Sequence, residues 1–141
     1  MSGFVMGMLV VQVLGGLYLL SFVARAGQEW SNARATRLPD PVVMAHAGVG
    51  IAVTGLWVVV LVSGMTGLAW VAFAALCVGA ALGVTLWLKT ARGAPVRETP
   101  GGSPADARVA EKQIPGIALV GHGALALALL VSALLVALGV T

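Results

Sequence analysis

Residues 41–88 read PVVMAHAGVGIAVTGLWVVVLVSGMTGLAWVAFAALCVGAALGVTLWL, without one charged side chain. This stretch decides the fold. Ser63-Gly64-Met65-Thr66-Gly67 interrupts it, and an apolar run of about 20 residues lies on either side. Each run can cross a hydrocarbon core of about 30 Å as a helix. A turn this short, with no charge, predicts an antiparallel helical hairpin.

Working outward, two more apolar runs flank the hairpin. The predicted spans are about Phe4–Ala24, Pro41–Val62, Gly67–Leu88 and Pro115–Gly139. Hydrocarbon leaves no water for an exposed peptide group, and the alternation of a membrane β-strand is absent, so the spans are expected to be helical. The expectation is one all-α polytopic membrane domain over residues 1–141, a bundle of four transmembrane helices. The composition agrees: 60% of the residues are hydrophobic and 9% are charged, far from the balance of a water-soluble domain.

All of the charges, eight basic and five acidic, fall in residues 25–40 and 89–112. Arg25, Arg34 and Arg37 lie in the loop between spans one and two. Lys89, Arg92, Arg97, Arg108 and Lys112 lie in the loop between spans three and four. An even number of spans separates these loops, so they share a face, and the opposite face has no Lys or Arg. The positive-inside rule places both loops in the cytoplasm and both termini outside, in a bacterial inner membrane. Topology thus accounts for the basic residues without nucleic acid. The N-terminus lacks a basic n-region, so the first run reads as a retained span. Cys77, the only cysteine, excludes an internal disulfide and reads as a small apolar residue of span three.

The charged loops differ in kind. Trp30 in the first suggests a short interfacial helix with its ring at headgroup level. Residues 93–106 carry turn formers and little to bury, a flexible connection, and residues 105–113 regain a helical turn or two. There is a faint internal repeat. Leu14-Gly15-Gly16-Leu17-Tyr18-Leu19-Leu20 resembles Leu82-Gly83-Val84-Thr85-Leu86-Trp87-Leu88, and His46-Ala47-Gly48 resembles His122-Gly123-Ala124. If it reflects a duplication, the chain is two helical hairpins related by an axis along the membrane normal.

Chemistry is confined to the only two histidines, His46 and His122. Asp40 and Pro41 read as N-cap and first position of span two, and Pro115 opens span four. At 1.5 Å per residue both rings lie roughly 7–10 Å inside their helix starts, and their heights differ by about 3 Å. Two imidazoles at one depth on parallel spans suit axial ligation of a haem iron. Gly48 and Gly50 beside His46, and Gly121 and Gly123 beside His122, would give a flat porphyrin bare backbone. Gly15, Gly16 and Gly83 lie somewhat deeper. Arg34, Arg37 and Lys112 lie where propionates need cations. The other readings are a structural role for both histidines, a proton relay, a quinone pocket, or copper at Met44 and His46. A Met-x-His pair diverges on a helix, which disfavours copper.

Ser21, Thr54, Thr85 and Ser132 are expected to bond their own helix carbonyls, and Gln12 to bond between helices. Trp70 and Trp87 look like interface anchors. Trp57 lies deeper and reads as core packing ahead of cofactor lining.

Two histidines on parallel spans of a small four-helix protein resemble the membrane b-type cytochromes of the cytochrome b561-like group. The resemblance rests on topology and on His46 and His122, and it implies haem b with these two as axial ligands. Members of that group usually hold two haems on four histidines. Here no histidine lies near the outer face, so one bis-His haem is the most this chain offers, and one haem does not carry electrons across the membrane by itself.

Three classes of function follow. The first is an electron carrier that serves quinone or a larger respiratory membrane complex. The second is a cofactor-free accessory or assembly subunit of such a complex. The third, a small transporter, has the least support, since no intramembrane acid or Pro break offers a coupling site. Gly/Ala-rich faces also suit a homodimer. Nucleophilic or paired-carboxylate catalysis is excluded from the spans, which hold no such groups. Reporter fusions test the orientation: alkaline phosphatase joined after Thr141 is expected to be active and a fluorescent protein there dark. The reverse is expected for insertions near Gly101, and the opposite pattern overturns the assignment.

Overall fold

The computed structural model describes residues 1–25, 38–91 and 114–140. The chain is an all-α membrane protein, with four helices among the described residues: α1 (Ser2–Arg25), α2 (Asp40–Ser63), α3 (Thr66–Ala91) and α4 (Gly116–Ala137). All four are long and apolar enough to span a bilayer. Their ends fall within three residues of the predicted spans. The helical content expected near Trp30 and over 105–113, and the flexible stretch 93–106, lie outside the described residues.

The helices that carry the histidines start alike. Pro39 is extended (φ −72°, ψ 120°), and its carbonyl accepts from the amides of Val42 (2.9 Å) and Val43 (3.1 Å). Pro115 has φ −61° and ψ 124°, and its carbonyl accepts from Ala118 (3.0 Å) and Leu119 (3.2 Å). The N-cap of α2 is therefore Pro39, and Asp40, expected in that role, is already in the first turn. Proline suits this position because its ring presets φ and its own nitrogen needs no hydrogen bond there. At the other end of α2, Gly64 turns left-handed (φ 67°) and returns its amide to the Val60 carbonyl at 2.9 Å. A side chain would strain that φ, and the conformation lets α3 restart at Thr66.

The four helices form an antiparallel ring. Both α1 and α3 pack against α2 and α4, so α2 and α4 stand at opposite corners. The tightly packed core occupies only one half of the bundle, the end with both termini and the α2–α3 turn. Val5 and Leu9 of α1, Val53 and Trp57 of α2, Ala72 of α3 and Leu129 of α4 are buried there. Trp57 is 0% exposed and donates its indole N–H to the Ser2 carbonyl at 3.0 Å, which ties α2 to the first turn of α1. Trp57 is thus core. It stands eleven residues from His46, about 16 Å along the helix. Large side chains such as Leu14, Met44, Val62 and Ile117 face outward, as they should against lipid tails.

The toleration of polar residues is local. Thr54 bonds the Gly50 carbonyl (2.9 Å), Thr85 that of Ala81 (2.9 Å), Ser132 that of Ala128 (2.8 Å) and Ser21 that of Tyr18 (2.7 Å). These four are satisfied by their own helices, as expected. Trp57→Ala should cost about 3–5 kcal/mol, because the closed end cannot collapse onto so large a gap. Reversible unfolding in mixed detergent micelles measures the loss, and a cost under about 1 kcal/mol would contradict the assignment of Trp57 to the core.

Candidate functional site

The other half of the bundle holds the histidines. Because α2 and α4 occupy opposite corners and begin alike, His46 and His122 meet across the interior. Their ring centroids are 6.2 Å apart, with the planes at 72°. Both side chains are half-buried.

His46 is held by α3. Its Nδ1 donates to the Gly79 carbonyl at 2.9 Å. A carbonyl can only accept, so Nδ1 carries a proton, and among the described residues Nε2 has no hydrogen-bond partner. The bond exists because of Gly83, one turn beyond Gly79. A Cβ on Gly83 would lie 3.1 Å from His46 Cε1 and 3.6 Å from its Nδ1. The ring fills the space that the missing side chain leaves beside the helix backbone.

His122 is held by α1. The Gln12 carboxamide nitrogen donates to the His122 carbonyl at 3.2 Å and to His122 Nε2 at 3.1 Å. This network assigns Nε2 as an acceptor and puts the proton on Nδ1. The Nδ1–H is buried with no partner among the described residues, and so is Gln12 Oε1. Here too glycine makes the room: a Cβ on Gly15 would lie 3.4 Å from His122 Nδ1, and one on Gly16 would lie 3.3 Å from its Cε1.

The other expected site residues divide. Around Gly50, and likewise Gly48, Gly121 and Gly123, nothing lies within 4 Å of where a Cβ would stand. The glycines against the rings come instead from the neighbouring helices, as Gly15, Gly16 and Gly83. Arg34, Arg37 and Lys112 lie outside the described residues. Gln12 was legible as a bond between helices but not as a partner of His122. Gly79 had no signal of its own. Its spacing of four from Gly83, at the depth of His46, is the pattern that could have found it.

Among the described residues no group of three or more His, Cys, Asp or Glu side chains forms. A bare zinc ion takes about four ligands, more than this pair supplies. A porphyrin brings four nitrogens of its own and asks the protein for two. His46 and His122, whose ring centroids are 6.2 Å apart, are the two side chains that would hold such a group. His46 fits that role as it stands, with its second nitrogen fixed on a carbonyl and its first free. His122 fits once Gln12 leaves Nε2.

Gly83→Ala should cost about 1–3 kcal/mol, because the new methyl meets a ring that is pinned on Gly79 and cannot yield. Gly48→Ala, which meets nothing, should be neutral or slightly stabilising. Detergent unfolding of the two variants side by side checks this, and equal stabilities would contradict the described packing. No protein-family model, no curated protein and no solved structure matches this chain.

Proposed function

We propose that this chain is a membrane-embedded electron-transfer protein or subunit that holds one haem b between His46 and His122. The observation that carries this reading is the convergence of the two imidazoles from diagonal helices, 6.2 Å apart, with glycines of α1 and α3 against both rings. Histidine is costly to place inside a bilayer, and a pair that meets there argues for a shared ligand. When bound, a bis-imidazole haem supplies reversible one-electron exchange.

The residues of the chain have separate duties in this reading. The Gly79 carbonyl orients His46 and raises the basicity of its Nε2. Arg34, Arg37 and Lys112 belong to the loops at this end of the bundle and would pair with propionates. The proposed orientation puts the site near the cytoplasmic face, where it would exchange electrons with quinone or with a partner in a larger respiratory complex. The buried core around Trp57 closes the far half, so the site is reached from the charged-loop side.

A second reading is favoured by one observation, the Gln12–His122 bond. In a cofactor-free accessory subunit, Gln12 and both histidines would serve as hydrogen-bonded cement between helices. The two readings differ in colour. Optical spectra of the purified protein, oxidised and dithionite-reduced, are expected to show a sharp low-spin α-band. That band should vanish in His46→Ala and in His122→Ala alike. A colourless wild type, expressed with ample haem, would leave the accessory reading standing.

A further inference from the structure

The two histidine sites share a plan but differ in their lining: α1 has Val11, Gln12 and Gly16 where α3 has Gly79, Ala80 and Val84. The repeat matches α1 to α3 with an offset of 68 positions and His46 to His122 with an offset of 76. Gly15 is thereby the counterpart of Gly83, and the structure treats them alike: their Cβ positions lie 3.4 Å from His122 Nδ1 and 3.6 Å from His46 Nδ1. Each ring lies against the matching glycine, with His46 approaching the Cβ position of Gly83 most closely through Cε1, at 3.1 Å, and His122 approaching that of Gly15 through Nδ1. The counterpart of the Gly79 carbonyl is that of Val11, one turn before Gly15. Yet His46 Nδ1 bonds its carbonyl at 2.9 Å, whereas His122 Nδ1 is buried without a partner among the described residues. Of the residues that depart from the plan, Gln12, whose counterpart is Ala80, is the one that hydrogen-bonds the His122 ring. Its carboxamide takes His122 Nε2 at 3.1 Å and leaves its own Oε1 unpaired.

We infer that Gln12 is a positioning residue that holds His122 in a non-ligating orientation, and that release of Gln12 lets His122 Nδ1–H bond the Val11 carbonyl and frees Nε2. The inference rests on the proposed haem site for its purpose, though its geometry stands apart from it. Two buried polar atoms without partners mark the Gln12-bound arrangement as one that gives way easily, since an unmade buried hydrogen bond is costly. The alternative repairs the Nδ1–H and makes the His122 half match the His46 half. A ligand that needs Nε2, such as haem iron, competes with Gln12 for it. Gln12 therefore sets how tightly the site binds and keeps the second imidazole capped until the ligand arrives.

Two measurements on the full chain test this, and the first needs no haem. In ¹⁵N-histidine-labelled protein in lipid nanodiscs, His122 is expected as the Nδ1–H tautomer with a hydrogen-bonded Nε2. In Gln12→Leu the proton should stay on Nδ1 and gain an acceptor, while Nε2 takes the shift of a free lone pair like that of His46. A proton on His122 Nε2 in the wild type, or an unchanged His122 signal in Gln12→Leu, overturns the inference. The second is a haem titration of both proteins. Loss of one competing hydrogen bond should tighten binding by about five- to tenfold. The mirror variant Ala80→Gln, which gives His46 the same cap, should weaken it by a similar factor. Equal or weaker binding by Gln12→Leu overturns the competition. If neither protein binds haem, the proposed function falls and the competition falls with it, while the nitrogen shifts still decide what Gln12 does to His122.

Discussion

An imidazole inside a bilayer must find a hydrogen-bond partner on a neighbouring helix, and nearly every backbone group there is already used by its own helix. A carbonyl has a second lone pair, but the side chain one turn later normally covers it. Glycine uncovers it. The bond from His46 Nδ1 to the Gly79 carbonyl, made beside Gly83, is the interaction on which the site depends. It puts a proton on Nδ1 and joins α2 to α3 at the level of the pair.

The rest of the bundle follows from serving that bond. The largest fully buried side chains, among them Trp57, Leu9, Leu129 and Val53, lie at the other end of the bundle. Prolines at the starts of α2 and α4 set both histidines at one depth. The α2–α3 turn at Gly64 keeps the sequential pair antiparallel. The result is one half with a buried core and another that carries the histidine pair. Under the proposed function, haem would be held in the half away from that core.

Much of this was legible in the residues. The uncharged stretch 41–88 with its five-residue interruption gives a hairpin by length alone, and the histidines' distances from Pro41 and Pro115 give their common depth. Serines and threonines behave locally, so they too could be read one helix at a time. Less legible was whatever depends on the rotation of one helix against another. Gly48, Gly50, Gly121 and Gly123 neighbour the histidines in sequence, yet the rings rest on Gly15, Gly16 and Gly83, because a side chain meets the opposing helix and not its own neighbours. For the same reason Gln12 could be assigned to a bond between helices but not to His122. The capping of α2 differed by one residue, since Pro39 can serve where Asp40 was expected.

The central claim is that one iron can bridge His46 and His122. Electron paramagnetic resonance of the haem-loaded ferric protein, with ¹⁵N-histidine hyperfine couplings resolved, tests it most directly. The account predicts a low-spin ferric signal coupled to two imidazole nitrogens. A high-spin signal, or coupling to a single histidine, would contradict it.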